Sequence, residues 1–469
     1  MPETTAQNRL YIYEPNLITQ ITQLVCYDNH IPIVSSSNAI ARHRIKLAEV
    51  LNALNAAANH GILLHTLRRL SNESAYPQSF LDAFFTLLSY LTDTTIGGQM
   101  LSSAGIVNVS IHIIDNESIH PNVLTKVISL LDVAFDSLDN AYPNFFSSNG
   151  LNASIKALKF QIDTCINGHN HYDSIMLIKS ILRFFIRMIK GSGAGSSLRN
   201  LMETSIPYVL CKIMEYHTLF GSTVFGLALS LYASYIHMEP TSLAVLQEIQ
   251  VPQTFLKTFK SYDGYCDVTL LLNVIDAFSA TCLNEEGLEM FQETQPLFHF
   301  FDLLSSSHFL GNPMEVADTS EIGGEMSEFV RHQPALKGQI FSCIHDMLQK
   351  VIKLGGSEEG KPEDNSHVLV YNEVPLRDGN AKVENHLLSM IEMVARFLEG
   401  FLEFDNAKEF INYNGHKILL QYYSLPVLPF DYYLSNAFGA LSDVFKVLTE
   451  KQTMVIVEAI IDEAPTQNS

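Results

Sequence analysis

One pattern recurs at seven places in this chain at close to fixed spacing, and it restricts the fold before any chemistry is weighed. The anchors are Gly61, Gly105, Gly150, Ser205, Gln250, Gln295 and Gly415, separated by 44, 45, 55, 45, 45 and 120 residues. After most anchors an apolar residue opens a Leu-rich stretch, as in Ile62-Leu63-Leu64 and Ile106-Val107. Four and five residues before most of them stands an apolar pair: Met100-Leu101, Phe145-Phe146, Val245-Leu246, Met290-Phe291 and Phe410-Ile411. A period of about 40–47 residues is that of armadillo and HEAT repeats, whose two or three helices cannot bury their apolar faces alone. Such units stack on one another, so the expected fold class is all-α, an armadillo/HEAT-like α-solenoid superhelix.

Residues 276–291 display the layout of one unit. Small Ala277 and Ala280 allow close helix approach, Asn284 stands where a helix cap is needed, and Met290 and Phe291 are expected to face inward. The longer intervals hold insertions. Residues 191–197, rich in Gly and Ser, lack the Lys-Ser/Thr of a phosphate-cradling loop and read as a flexible connector. A further helical unit is expected near 325–354, followed by a polar stretch, 355–384, that reads as a disordered loop.

Charge narrows the partners. With 29 basic and 50 acidic residues the net charge is −21. That field repels phosphate backbones, so no nucleic acid is expected, and it attracts protein clients with exposed basic segments. The six cysteines, Cys26, Cys165, Cys211, Cys266, Cys282 and Cys343, are scattered without a C-x-x-C pair, as in reduced cytosolic or nuclear proteins. The first residues lack a basic segment followed by an apolar core, and no apolar run of 18 uncharged residues is read, so neither a secretory signal nor a membrane is expected.

Little in the chain points to chemistry. His169 and His171 are two ligands without a third, short of a metal site. No nucleophile or paired-carboxylate signature occurs, so no catalytic residue, metal site or cofactor is expected. The helical period over 175–190 is apolar nearly all round except for Lys179, Arg183, Arg187 and Lys190, which fall on one face. That face is either a docking stripe for acidic peptide or lipid head groups, or a basic face that meets solvent or an acidic neighbour. The second reading is preferred, because the net charge offers many carboxylates.

Several segments resemble the N-terminal region of the giant HECT-type E3 ubiquitin ligases, the Huwe/Tom group of animals and fungi with its plant relatives. His237-Met238-Glu239-Pro240-Thr241-Ser242-Leu243-Ala244-Val245-Leu246-Gln247-Glu248 is similar to the family's HNEPTSLAVLQE, with Met238 in place of Asn. Asn59-His60-Gly61-Ile62-Leu63-Leu64, Cys282-Leu283-Asn284-Glu285 and Arg331-His332-Gln333-Pro334-Ala335-Leu336-Lys337 extend the likeness, which runs from about residue 20 to 450. The resemblance implies paired domains of unknown function: armadillo-like repeats over 1–160, a truncated first domain, and over 161–448, with a helix end and tail at 449–469. It also implies part of a large solenoid, ring-like in known members, that gathers protein substrates for a distant C-terminal HECT domain. None of the six cysteines lies in a HECT-like segment, so no catalytic residue carries over. The expected partners are protein substrates and, where this sequence is a fragment, the remainder of the ligase chain. The alternative is a free-standing armadillo adaptor or transport receptor of the importin type. Importins grip basic peptides with groove tryptophans, and this chain has no Trp.

Overall fold

The computed structural model describes residues 78–463 apart from 93, 139, 169–171, 191–203, 357–379, 403–404 and 430. The anchor Gly61, Cys26, His169, His171, the connector at 191–197 and most of the stretch at 355–384 lie outside the described residues. The chain divides into two compact units, Met1–Phe220 and Gly221–Ser469. Every described element is a helix.

In the first unit the order is α1 (Gln78–Thr92), α2 (Thr95–Ser103), α3 (Ile106–Ile114), α4 (Pro121–Ser137), α5 (Ala141–Ser147), α6 (Gly150–Ile166), α7 (Tyr172–Lys190) and α8 (Ile206–Glu215). They read as triplets of a short first helix, a second and a longer third. Third helices pack on third helices, α1 on α4 and α4 on α7, while α3, α6 and α8 form the parallel row of second helices. The armadillo/HEAT-like solenoid expected from the spacing is therefore present, because each helix buries its apolar stripe against the same position of the next repeat.

The second unit continues the plan. Helix α9 (His217–Met238) bends at Gly221, φ +79°, where the unit boundary falls. Then come α10 (Ser242–Glu248), α11 (Val251–Lys260), α12 (Val268–Thr281), α13 (Glu285–Thr294), α14 (Pro296–Leu304), α15 (Ser307–Leu310), α16 (Pro313–Ala317), α17 (Thr319–His332) and α18 (Lys337–Gly355). The last are α19 (Asn380–Phe401), α20 (Asn406–Asn412), α21 (Gly415–Gln421) and α22 (Asn436–Glu463). Third helices α12, α17, α19 and α22 form one row, and α11, α14, α18 and α21 the other. Of the stretch read as a loop, 380–384 belong to α19.

The repeat pattern has a backbone cause. Gly105, Asn149, Gln250, Gln295 and Asn414 each sit between a first and a second helix in the left-handed region, with φ between 52° and 73°. That residue redirects the chain from one helix into the next. Two anchors shift by one place: at Gly150 and Gly415 the left-handed residue is the preceding Asn. Glycine follows it for room, since a Cβ there would strike the ring of Phe145 or Phe410, the first member of the apolar pair. Ser205, with φ −83°, does not adopt the turn. A side chain in the left-handed region is strained where glycine is not. Gln295→Gly is therefore expected to raise stability by up to about 1 kcal/mol, read as a higher urea midpoint.

The first helices are fixed by a second recurrent device. Thr94 caps α2 by accepting from the Gly97 amide at 3.1 Å, and Asn284 caps α13 by accepting from Gly287 at 2.8 Å. A Cβ on Gly97 or Gly287 would strike the carbonyl of Leu91 or Thr281, at the end of the preceding third helix. Neighbouring repeats are also stitched by polar pairs. The Gln247 and Asn284 amides exchange hydrogen bonds of 3.0 and 2.9 Å, and Gln333 donates to the Cys282 carbonyl at 2.7 Å. Ala277 and Ala280 are buried as expected, and so is Phe291, whereas Met290 is only half-buried.

Rings fill the centre of the second unit. Phe278 on α12 meets Phe255 and Phe259 of α11, Phe291 of α13, Phe300 of α14 and Phe329 of α17, with centroids 4.9–6.3 Å away. One sequence expectation is corrected here. Helix α9 carries no charge and is long and apolar enough, by length and composition, to cross a membrane. In the structure most of it is core: Val224, Phe225, Leu229, Tyr232 and Ile236 are fully buried, and the Tyr232 hydroxyl lies 3.0 Å from that of Thr281. The apolar run is long because this third helix is covered on most sides.

Candidate protein-binding faces

Helix α7 turns Leu177, Ile178, Ile181, Leu182, Phe184 and Phe185 into the core of the first unit. The opposite face follows from the period: Lys179 is half-buried, and Arg183, Arg187 and Lys190 are exposed. Arg187 does not stand free. It donates to Asp132 at 2.7 Å and pairs with Asp136, both one turn apart on the neighbouring third helix α4. Burial, with a smaller contribution from the like charge of Asp136, raises the Asp132 carboxyl despite the opposing pull of the Arg187 guanidinium. Lys126 on α4 makes the corresponding step to Asp82 on α1 at 2.6 Å. Lys179, Arg183 and Lys190 pair with no acid among the described residues. The spacing thus located the face, but the acids that meet Arg187 sit on another helix and were not legible from it.

The row of third helices in the second unit is more acidic. Glu325 on α17 has its carboxyl raised by burial first, then by the like charges of Asp276 and Glu328. Arg331 pairs with Glu328, Arg396 with Glu399 at 2.9 Å and Asp443 at 3.9 Å, and Lys446 with Asp443 at 2.7 Å. Glu392, Arg396 and Glu399 recur at helical spacing on α19, a periodic signal present in the sequence. These ion pairs are partly or largely open to solvent and contribute about 0–1 kcal/mol each. Their effect is on the field a partner meets rather than on the fold.

The thiols are placed for packing. Cys165, Cys266, Cys282 and Cys343 are buried and Cys211 is half-buried. Burial pushes the Cys282 and Cys343 thiols up to about 12 and raises Cys266 as well. Around Cys343 the charges of Asp346 and Asp302 add to the same shift. A nucleophilic cysteine needs the opposite surroundings, exposed and electropositive, so that the thiolate forms near neutral pH.

Comparison with known proteins gives this geometry a context. The chain is similar to the E3 ubiquitin-protein ligase ptr1 of Schizosaccharomyces pombe, 25% identical over 468 residues that cover 92% of this chain and 14% of the relative. It is similar to the E3 ubiquitin-protein ligase HUWE1 of Mus musculus at 24% over 500 residues, 86% of this chain and 11% of the relative. UPL2 of Arabidopsis thaliana, another E3 ubiquitin-protein ligase, is 24% identical over 91% of this chain and 13% of its own length. The chain therefore spans only 11–14% of these relatives. A designed armadillo repeat protein aligns with 58% of this chain and 99% of its own, at 15% identity and a TM-score of 0.41. A Domain of Unknown Function model, DUF908, matches residues 1–72. The model of a second, DUF913, matches 125–378 and 370–431, most of the chain, leaving α1–α3 and α22 outside. The chain belongs to the DUF913 family.

Proposed function

We propose that this chain is a substrate-recruiting solenoid scaffold of a HECT-type E3 ubiquitin-protein ligase, catalytically silent on its own. Its clients are proteins with exposed basic segments, and its place is the cytosol or nucleus. The observation that carries the reading is similarity over 86–92% of the chain to E3 ubiquitin-protein ligases of a yeast, a mouse and a plant. The stacked helices support it, since a row of repeats offers a long surface on which a protein can lie. A net charge of −21 supports basic clients.

The silence follows from the thiols. Transfer by a HECT-type ligase passes through a cysteine thiolate that attacks the E2 thioester. Burial disfavours the thiolate at Cys266, Cys282 and Cys343. Incubation with E1, charged E2 and ATP is therefore expected to give no DTT-sensitive ubiquitin adduct on this chain. An adduct that disappears when one of its cysteines is replaced by Ser would overturn the assignment.

A further inference from the structure

In the second unit a cleft of about 530 Å³ opens between α15–α16, the first half of α19 and the start of α22. Exposed Pro313 and half-buried Leu388 supply apolar surface, Ser307, Ser389, Glu392 and Asn436 supply polar groups, and His386 also lines it. Glu392 projects from α19, the third helix that lies between α17 and α22. It forms no ion pair or hydrogen bond with a described residue, and the same is true of the side chains of Ser307, Ser389 and Asn436. Its neighbour Arg396, one turn on, is held instead by Glu399 at 2.9 Å. Burial raises the Glu392 carboxyl against the weaker opposing pull of Arg396.

A half-buried carboxylate without a donor, beside aliphatic carbon, lacks one partner: a cation at the end of an apolar stem. We propose that this cleft binds a lysine side chain of a protein client. The four methylenes lie along Leu388 and Pro313, as such stems do on apolar surface. The ammonium, with three donors and no acceptor, meets Glu392 together with the hydroxyl and amide oxygens around it. An ordinary exposed glutamate would give little selectivity, because water competes for it. The partial burial that costs Glu392 stability when empty is what makes a bound cation worth more there. The inference rests on the reading of basic clients and gives it an address.

The test uses the full chain and a fluorescein-labelled peptide of alternating Gly and Lys, read by fluorescence anisotropy. Glu392→Gln is expected to weaken binding about tenfold or more, the loss of one charge-assisted contact. Ser389→Leu, which fills the cleft, is expected to do the same, and a peptide with Nε-acetyl-lysine is expected to bind as weakly as the variants. Glu289→Gln, an exposed acid elsewhere in the unit, is expected to leave binding unchanged. Glu392→Gln is not expected to harm folding. The folded-state pKa of Glu392 is raised, so its ionised form costs stability at neutral pH, and that cost is relieved as pH falls or on neutral replacement. A thermal melt of each variant checks this. Equal affinity of Glu392→Gln and wild type, or an equal loss for Glu289→Gln, overturns the cleft. Free cadaverine binding with the same dependence on Glu392, where the peptide shows none, overturns the client and leaves a free amine as ligand. In each case the scaffold reading stands or falls separately, on the ubiquitin-adduct assay.

Discussion

Gly400→Val is expected to unfold the second unit, or to cost it more than about 3 kcal/mol if folding survives. Helices α17 and α19 approach each other closely, and they meet through two glycines. A Cβ on Gly400 would strike the carbonyl of Ser320 on α17, and one on Gly323 would strike the carbonyl of Phe397 on α19. Both obstacles are main-chain atoms, which cannot turn aside as the end of a side chain can. Overpacking a core costs about 1–3 kcal/mol where side chains can rearrange. Here the helices must move apart, which also loosens Phe329, Phe397 and Phe401, all essentially fully buried. Gly323→Val is expected to behave alike. Gly439→Ala on α22, where a new Cβ meets nothing within 4 Å, is the control and is expected to be neutral or to gain up to about 1 kcal/mol from helix propensity. Urea unfolding followed by circular dichroism reads all three. Wild-type midpoints for both valine variants would show that this crossing is not close.

Phe278→Ala is expected to cost about 3–5 kcal/mol, the range for removing a fully buried aromatic ring. The ring stands among five others contributed by four helices, so no single neighbour can move in to fill the space. Phe278→Leu keeps most of the volume and loses only the ring geometry, so a smaller cost is expected, about 1–2 kcal/mol. A loss below about 1 kcal/mol for the alanine variant would mean that the surrounding helices collapse onto the site. The comparison of the two substitutions separates volume from edge-to-face contact.

The repeat architecture was legible because one local event, a left-handed residue between two helices, recurs with an apolar pair in front of it. The register was less so. Gly150 and Gly415 stand out in the sequence, yet the strained residues are Asn149 and Asn414, and the glycines serve ring clearance. Long-range approach left no mark: nothing near Gly323 in sequence announces Gly400. The uncharged run of α9 was not distinguished in the sequence, and its composition is ambiguous in itself, since burial from several sides produces the same pattern as a lipid-facing helix. For the binding faces, the charge pattern of α7 was visible from its period. The partners of Arg187 were not, because Asp132 and Asp136 become neighbours only when third helices stack. The Glu392 cleft was invisible for the same reason: its walls come from three separated stretches of chain.

The rows of third helices have a further consequence, for how damage spreads. Within the second unit α12 touches α17, α17 touches α19 and α19 touches α22, so each rung is held by the rung on either side. Stability in such an array is close to a sum of local and nearest-neighbour terms. A lesion at Phe278 is then felt by the rungs beside α12 and fades toward α22, while one at Gly400 acts from α19 outward in both directions. Unfolding can start at a weakened rung and travel like an opening zip, leaving distant rungs intact for a time. A client held across several rungs would resist that travel, so cargo and carrier would each protect the other from loss of structure.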